Sequence, residues 1–408
     1  MAIDPSSSSA SLASESPAAR QALSVLEILP RLEVGGTARG AIDLSMALVR
    51  AGGRVLIASE GGRLLPEVLR GGITHETLRV DSDSPWLMLK LAWQLSRLAS
   101  REGINIFHAR SAPAAWAATK AQRFAKLPIV ATLHDCFEPT RRVHHWYADA
   151  LRNADHVIAV SDFVAAHARN VLGLAGDRLT VIPRGVNLAR FNPGAINADR
   201  LIKHAQKLLL PDGVPLIIMP AALLPEKGHA LLIEALALLG PRPFYCLMLG
   251  DDSQNDTYRQ EIEELIVARN LEGKVRFGGF CDDMPAVYML ADLVVIPSLE
   301  PEAFALAAAE ALAMGRPVAA ANHGSALQIV RAPETGWLVT PGDAAALSAA
   351  IAEGLSLGPA KRERIALAAR AHIERHFTLE AMCRRTFEVY ARVLAAAATG
   401  PAEDRRSA

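Results

Sequence analysis

Two glutamates, Glu302 and Glu310, stand eight residues apart where a predicted strand gives way to a predicted helix. Residues 297–305 read as a strand end followed by a turn, and an alanine-rich helix is predicted over 302–314. The free N–H groups and the positive dipole end of such a helix attract a diphosphate, and Glu302 could bind sugar or ribose hydroxyls. On this helix Glu310 lies about two turns deeper and roughly 80° further round, within reach of the same pocket. The alternative is that both glutamates are only favourable charges on an exposed helix.

Strands and helices alternate along most of the chain. Short apolar runs predict strands at 23–29, 54–59, 77–80, 104–109, 129–134, 156–160 and 179–183, then at 215–220, 244–250, 274–279, 293–297, 318–321 and 337–339. Amphipathic stretches predict helices at 38–51, 86–101 and 163–172, then at 229–239, 257–270, 284–290, 302–314 and 344–354. Unbroken apolar strands separated by helices indicate parallel sheets with both faces covered. The predicted fold class is therefore α/β, with two Rossmann-like, doubly wound parallel-sheet domains that face each other across a cleft.

The chain divides into five predicted segments. Residues 1–20 are expected to be a disordered tail, because they are polar, serine-rich and low in complexity. A first Rossmann-like domain is predicted over 21–192, a linker over 193–213 and a second Rossmann-like domain over 214–376. A last helix, over 377–398, follows the second domain and is expected to pack back on the first.

Composition narrows the function classes. No run of 18 uncharged apolar residues occurs, so no membrane-spanning helix is expected, and residues 1–20 lack the features of a signal peptide. Four cysteines lie far apart without a C-x-x-C pair, which argues against a zinc site or a disulfide framework and favours the cytoplasm. No basic stripe with stacking aromatics is present, so nucleic acid is not an expected partner. The first predicted strand is not followed by a G-x-G-x-x-G, which weakens a dinucleotide-dependent oxidoreductase.

The segment 141–147, Arg-Arg-Val-His-His-Trp-Tyr, mixes basic and aromatic residues. It could contact a lipid-linked acceptor or a membrane surface. A solvated helix face with one buried aromatic is the alternative, and it is the explanation favoured here. The first 200 residues carry 23 Lys and Arg against 18 Asp and Glu, which could favour an anionic acceptor or membrane face. A protein peripheral to the inner face of the membrane is therefore left open.

The segment with the two glutamates resembles the E-x7-E signature of the family 4 retaining glycosyltransferases, and Gly315-Arg316-Pro317-Val318 follows it as in that family. Other matches occur in order over nearly the whole chain. They are Gly35-Gly36, 154–161 (ADHVIAVS), 181–187 (VIPRGVN), 225–229 (PEKGH), 250–251 (GD), 291–293 (ADL) and 335–339 (TGWLV). The phrases FHARSAPA, DDMPA, EPEAF and TGWLVTPGD are similar to a proteobacterial branch that builds lipopolysaccharide or other cell-surface polysaccharide.

This resemblance implies a GT-B fold in which the second domain binds most of a nucleotide-sugar donor and the first domain binds the acceptor. Lys227 would neutralise the donor diphosphate, Glu310 would bind the ribose and Glu302 would hold sugar hydroxyls. Gly36 would let the backbone approach the donor phosphates, and His134 matches a histidine beside the transferred sugar. The other donor-binding candidates are Phe304, Ala305, Leu306 and Arg184. The alternatives are a surface lysine at 227, a turn glycine at 36 and a satisfied core histidine at 134.

The chemistry that the resemblance implies retains the anomeric configuration and needs neither a metal ion nor a cofactor. No pair of carboxylates is arranged as in a glycosidase. A UDP- or GDP-sugar is the expected donor, and a glycan or lipid-linked acceptor is the expected partner. The first hypothesis is therefore an active transferase that adds a hexose to a lipopolysaccharide or related envelope glycan.

Departures from the family pattern fall at the expected donor site. Ala222 stands where the family has an arginine that helps the lysine hold the diphosphate, and Gln328 replaces a common glutamate. Ala303 and Ala305 replace small glycines near the phosphates. The second hypothesis is therefore a catalytically weak or inactive homologue that binds nucleotide sugar or glycan. A nucleotide-sugar epimerase is a third, but the matched motifs do not resemble that family.

The cation missing at position 222 gives a way to separate these hypotheses. Losing one of two cations on a buried diphosphate weakens stabilisation of the leaving group unless another cation replaces it. An arginine from elsewhere in the cleft, such as Arg184 or Arg39, would favour the active transferase. An empty phosphate corner would favour the inactive homologue.

Overall fold

The computed structural model describes residues 23–33, 35–80, 84–137, 142–174, 176–251 and 255–399. The predicted tail at 1–20 lies outside these residues. Two sheets organise the described chain, one of seven strands and one of six, and every strand pairing within them is parallel. The predicted fold class, α/β with two doubly wound parallel-sheet domains, is confirmed.

The first sheet has the strand order β3-β2-β1-β4-β5-β6-β7. Its strands are β1 Ser24–Ile28, β2 Arg54–Ser59, β3 Thr74–Thr77, β4 Ile106–Ala109, β5 Ile129–Leu133, β6 His156–Ala159 and β7 Leu179–Val181. The helices of this part are α1 Gly36–Arg50, α2 Leu65–Arg70, α3 Pro85–Glu102, α4 Ala112–Ala125, α5 Arg142–Arg152 and α6 Asp162–Asn170. Every residue of β1, β4, β5 and β6 is buried, because helices cover both faces of the sheet.

The second sheet has the strand order β10-β9-β8-β11-β12-β13. It is preceded by a helix, α7 Ala198–Lys207, in the segment predicted as a linker. Its strands are β8 Leu216–Pro220, β9 Tyr245–Leu249, β10 Val275–Gly279, β11 Leu293–Ile296, β12 Val318–Ala321 and β13 Gly336–Val339. The remaining helices are α8 His229–Ala237, α9 Asp256–Ala268, α10 Met284–Leu290, α11 Leu306–Ala313, α12 Ala326–Ile329, α13 Ala344–Leu355, α14 Pro359–His376 and α15 Leu379–Thr399.

Both sheets reverse their strand order once, between β1 and β4 in the first and between β8 and β11 in the second. Doubly wound sheets bind ligands beyond the carboxyl ends of the strands at such a switch point. Gly36 and Arg110 follow β1 and β4, whereas Lys227 and Glu302 follow β8 and β11. The topology therefore brings candidate residues from distant parts of the sequence to the two places where a ligand is expected.

The last helix returns to the first sheet. The crossing is fixed by backbone hydrogen bonds, since Val186 N–H donates to the Phe377 carbonyl at 2.8 Å and Leu379 N–H donates to the Val186 carbonyl at 3.0 Å. Beyond it, α15 buries Cys383 and Tyr390 in one apolar cluster with residues of β1 and α1. The last helix therefore packs on the first unit.

The predicted third strand is wrong in its bounds. The sequence placed it at 77–80, whereas the structure has it at Thr74–Thr77, on the edge of the sheet. Leu78 and Val80 are buried, but they lie in the loop that follows the strand. Apolar content marked the buried loop rather than the more polar edge strand, whose pairing depends on the backbone.

The helix predicted from position 302 begins at Leu306 instead. Ala305 N–H donates to Ser325 Oγ at 2.8 Å, and Ser325 N–H donates to the Glu302 carbonyl at 2.9 Å. Residues 302–305 are therefore tied to a neighbouring loop and do not wind into the helix. The argument that two helical turns separate Glu302 from Glu310 is wrong, because only Glu310 is on the helix.

Candidate functional site: the cleft between the two sheets

A cavity of about 850 Å³ lies between the two units. The first unit contributes Gly35, Gly36, Arg39, Arg63, Leu64 and Glu67, and the connecting segment contributes Arg184, Arg190 and Phe191. The second unit contributes residues that follow its central strands, among them Ala222, Lys227, Ser298, Glu302, Phe304, Leu306 and Glu310. The cavity is large enough for a drug-sized ligand and mixes apolar walls with converging charges.

Lys227 and Glu302 form an ion pair in the second unit's wall. Lys227 Nζ lies 2.7 Å from Glu302 Oε1, and Ser298 Oγ donates to the same oxygen at 2.8 Å. The next residue, Gly228, has φ of 81°, and a Cβ there would collide with the Pro297 carbonyl. Glycine is therefore required at 228, and its turn holds Lys227 against the end of β11.

Glu310 is the buried acid of the cavity. Tyr288 OH donates to its Oε2 at 3.2 Å. Burial raises the pKa of Glu310 to about 7, although Arg190, the Tyr288 hydrogen bond, Arg184 and Arg39 all oppose this rise. A carboxyl with this pKa changes its charge near neutral pH, and as a carboxylate it is a strong acceptor for hydroxyl groups.

Arg184 occupies the middle of the cleft. Its guanidinium donates a hydrogen bond to the Gly36 carbonyl, and a Cβ at position 36 would collide with that guanidinium. Burial lowers the pKa of Arg184 to about 10, while the charge of Glu310 opposes the shift. The pKa of Asp135 is raised by burial, and both Arg184 and Lys227 counteract this. Arg184 and Lys227, from opposite sides of the cleft, therefore act on the same region.

Further arginines, from the first unit and the connecting segment, line the same cavity as Arg184. Arg39, on the first turn of α1, pairs with Glu67 at 2.6 Å. Arg63 and Arg190 also line the cavity, and Arg190 Nη2 donates to the Asp282 carbonyl at 3.0 Å. Ala222 lines the same cavity with only a methyl group. The cavity that Ala222 lines therefore has arginines on its other walls.

His134 lies in a second cavity, of about 670 Å³, which meets the first at Gly35 and Gly36. Both of its ring nitrogens are buried, and neither has a hydrogen-bond partner among the residues that the structure describes. Burial, with the nearby charges of Arg110 and Arg184, holds the pKa of His134 well below its usual range. The ring is therefore neutral at pH 7 and offers one donor and one acceptor. The satisfied core histidine considered above is ruled out.

A buried polar network supports this second cavity, and the sequence analysis did not identify it. Arg110, a cavity-lining residue, donates from Nε and Nη2 to the Glu27 carboxylate at 2.6 and 3.2 Å. His108 Nδ1 lies 3.1 Å from Glu27 Oε1, and Tyr390 OH donates to the same oxygen at 3.3 Å. The only sequence signal was a charged residue inside the apolar run of β1. The network ties β1, β4 and the returning helix α15 together.

Three predicted donor-binding residues lie close together but in different settings. Phe304 lines the cavity edge with its ring 6.1 Å from that of Phe377, and Leu306 lines the cavity as the first residue of α11. Ala305 is buried and does not line the cavity, and its N–H donates a hydrogen bond to Ser325 Oγ. One cavity is therefore lined by seven of the predicted site residues, namely Lys227, Glu302, Glu310, Gly36, Arg184, Phe304 and Leu306. His134 lines the adjoining cavity, and Ala305 is buried behind the wall of the first cavity.

The aromatic and basic segment at 141–147 is only partly described, because Arg141 lies outside the described residues. His144 and Tyr147 line the second cavity, and Trp146 stacks on Trp116 with ring centroids 6.5 Å apart. The segment therefore contributes to the cavity wall as well as to the surface. Within the described ranges, no helix is long and apolar enough to cross a membrane, and no group of three or more His, Cys, Asp or Glu could hold a metal ion.

Family models cover most of the chain. Residues 34–190 match the model described as Glycosyltransferase Family 4, and residues 202–372 match the one described as Glycosyl transferases group 1. The chain is 30% identical over 305 residues to a D-inositol 3-phosphate glycosyltransferase of Xylanimonas cellulosilytica, covering 69% of each protein. It is 27% identical over 297 residues to WcaL of Salmonella typhimurium, which is described as a colanic acid biosynthesis glycosyltransferase, again covering 69% of each. The protein belongs to the family 4 glycosyltransferases.

Solved structures agree with this assignment. A glycosyltransferase from Rickettsia africae superposes with a TM-score of 0.85 at 32% identity, covering 92% of this chain and 99% of that one. HepE from Anabaena, solved with UDP and glucose, has the same fold, with a TM-score of 0.80 at 23% identity over 91% of this chain and 100% of that one. The GT-B fold expected from the resemblance is confirmed.

Proposed function

We propose that the protein is a retaining glycosyltransferase that moves a hexose from a UDP- or GDP-sugar to an envelope glycan or lipid-linked acceptor, independently of metal ions. The observation that carries this proposal is the cleft itself. One wall presents Lys227, Glu302 and Glu310, and the facing wall presents Gly36 and Arg184. The similarity to WcaL supports an envelope polysaccharide or lipopolysaccharide as the product. UDP in the HepE structure supports a nucleotide-sugar donor.

In this proposal the donor spans the cavity along the second unit's wall. Glu310 accepts hydrogen bonds from the ribose, and the diphosphate lies toward Lys227 and Arg184. Glu302, now paired with Lys227, exchanges part of that contact for sugar hydroxyls when the donor binds. Phe304 and Leu306 form the adjoining wall, while Ala305 supports it from behind.

The chemical step breaks the bond between the anomeric carbon and the diphosphate oxygen and forms a bond from that carbon to the acceptor oxygen. The acceptor's proton leaves with the diphosphate, whose negative charge the surrounding cations stabilise. Attack from the face that the leaving group vacates retains the anomeric configuration. His134, neutral and unpartnered beside Gly36, is placed to hydrogen-bond the transferred sugar. The cytoplasm, where nucleotide sugars would be available to it, is the compartment that we propose.

The absence of an arginine at 222 does not leave the diphosphate with a single cation. Arg184 is fixed by the Gly36 carbonyl in the middle of the cleft, and Arg39 and Arg63 line the same cavity. We therefore favour the active transferase over the inactive homologue, which Ala222 alone supports. The second cation is supplied from the first unit's side of the cleft, so it can act only when both walls face the donor.

Nucleotide binding tests the donor site directly. Calorimetric titration with UDP, GDP and ADP, without metal, is expected to show selective binding of one nucleotide. Lys227→Ala and Glu310→Ala should both lose it, whereas Glu300→Ala, an exposed acid two residues from Glu302, should bind normally. A folded protein that binds none of the three nucleotides would refute the proposal.

Turnover separates the active transferase from the inactive homologue. With the sugar donor of the nucleotide that binds, the protein should release that nucleotide slowly by hydrolysis and faster when an acceptor-containing membrane extract is added. The Arg184→Ala variant should bind the nucleotide more weakly and turn over much more slowly. The matched control is Arg178→Ala, an exposed arginine near the same strand. Tight nucleotide binding without any turnover would support the inactive homologue.

A further inference from the structure

Helix α3 has an unusual outer face. Its inner face is buried in the core through Met88, Leu91, Leu95 and Leu98. On the outer face, Trp86 is 82% exposed, Leu89 46% and Trp93 50%. Single exposed apolar residues are normal on soluble proteins, but two exposed tryptophans on one helix face are costly and call for a partner.

Basic residues alternate with these tryptophans. Trp86, Lys90, Trp93 and Arg97 follow the spacing of one helix face, and Arg97 lies over the Trp93 ring at 4.8 Å. Arg101, one turn on, already pairs with Glu76 and Glu102. Among the described residues, no carboxylate pairs with Lys90 or Arg97. Their charges are therefore available to an external anion.

The neighbouring helix α4 extends the same character. Phe124 on it is 69% exposed, and the exposed residues Arg123 and Lys126 lie within two positions of it in the sequence. Residues 85–126, which contain both helices, carry seven Lys and Arg against a single Glu, although the whole chain has no net charge. Arg110 is buried against Glu27 between the two helices, so six of the seven basic residues contribute positive charge to this surface.

This combination fits an anionic lipid surface better than a protein. Indole rings favour the boundary between headgroups and acyl chains, and Lys and Arg are drawn to anionic headgroups. Protein interfaces are enriched in tryptophan and arginine but depleted in lysine, which recurs on these two helices at Lys90 and Lys120.

The position of the face relative to the cleft is also suitable. In parallel α/β units, helices begin at the carboxyl ends of the strands, so α3, α4 and α5 all start at the cleft end of the first unit. Pro113 and Tyr147, near the starts of α4 and α5, line the second cavity. Trp86 and Lys90, in the first turns of α3, lie at that same end.

We propose that the outer face of α3, extended by α4, docks on a bilayer of anionic phospholipid, with Trp86 and Trp93 at its interface. Docking itself does not depend on the proposed function. Its use does, because it would bring the headgroup of a lipid-linked acceptor to the cavity that contains His134.

Vesicle sedimentation tests this inference on the full chain. The protein should pellet with vesicles of phosphatidylethanolamine and phosphatidylglycerol, and much less with phosphatidylcholine alone. Lys90→Ala with Arg97→Ala should weaken binding on the order of 30-fold, since each basic residue near an anionic surface is worth about fivefold. Trp86→Ser with Trp93→Ser should weaken it on the order of tenfold or more.

The matched control replaces two leucines of the second unit that are about as exposed, Leu238→Ser with Leu367→Ser, and should bind as the wild type does. Nucleotide titration of each variant verifies its fold and separates a failure of docking from a failure of the donor site. The inference is overturned if the wild type does not bind the anionic vesicles, or if both α3 variants bind them as well as the wild type does. It is also overturned if sedimentation without lipid reveals a dimer that Trp86→Ser with Trp93→Ser dissociates, since a second copy would then cover the face.

Discussion

Glu27 is the residue whose replacement should destabilise the first unit most through charge alone. It lies inside β1 at 1% exposure and accepts two hydrogen bonds from Arg110. Burial by itself would raise the pKa of Glu27, but Arg110 and His108 outweigh it and hold that pKa at about 2, against an ordinary value of 4.5. This difference corresponds to about 3 kcal/mol of folding free energy.

The sign follows from the lowered pKa. Because the folded protein binds this proton less readily than the unfolded chain, the stabilisation is complete above pH 4.5 and is lost as the pH falls toward about 2. Glu27→Gln removes it at every pH and leaves Arg110 buried without a counter-ion, which costs about 3–5 kcal/mol in other proteins. The two figures agree, and for a domain of this size they correspond to a fall of about 6–12 °C in melting temperature.

Scanning calorimetry at pH 7 measures this effect, with Glu234→Gln as the matched control. Glu234 accepts two hydrogen bonds from Arg269, both at 2.8 Å, but the pair is exposed and should be worth less than about 1 kcal/mol. Glu27→Gln should lower the melting temperature of the first unit at pH 7. Below pH 4.5, the melting temperature of the variant should fall less steeply with pH than that of the wild type. If the two variants melt alike, the buried network does not stabilise the protein, and the reasoning is refuted.

Three further predictions concern the donor site. Affinity for the nucleotide should rise about tenfold from pH 6 to pH 8 as Glu310 ionises, because the pKa of this carboxyl is about 7. The Glu310→Gln variant should lose most of this pH dependence. If the pH dependence persists in the variant, the role of this carboxylate is contradicted. Gly228→Ala should destabilise the second unit by more than about 3 kcal/mol, measured by urea unfolding. The control Gly240→Ala should cost only about 1 kcal/mol, because Gly240 has a φ of 66° but open space around it. Equal losses in the two variants would mean that the contact with Pro297 is unimportant. Arg184→Ala should weaken nucleotide binding, measured by calorimetry, by about 10- to 100-fold. Adding Ala222→Arg to this variant should restore part of the lost affinity. If it restores none, the two positions do not bind the same phosphate.

The two-sheet fold could be predicted from the amino-acid sequence, and so could some residues of the candidate site. Strand and helix periodicity is a property of neighbouring residues, so the two doubly wound sheets could be predicted before any contact was known. Lys227 could be named from the sequence only through its place in a motif that resembles the family's. Glu310 was placed on the correct helix, but the two helical turns argued between it and Glu302 were wrong, because that helix begins at Leu306.

The tertiary structure decided which side chains meet. The Lys227–Glu302 pair joins residues 75 positions apart, and the contact between Arg184 and Gly36 spans 148 positions. Such contacts depend on strand order and on the way the returning helix closes the first unit, which local periodicity does not encode. For the same reason the start of the helix before Glu310 was misplaced, because Ser325, from a distant loop, takes the N–H that would have begun it. That arginines from other segments line the same cavity as Ala222 is likewise known only from the folded structure.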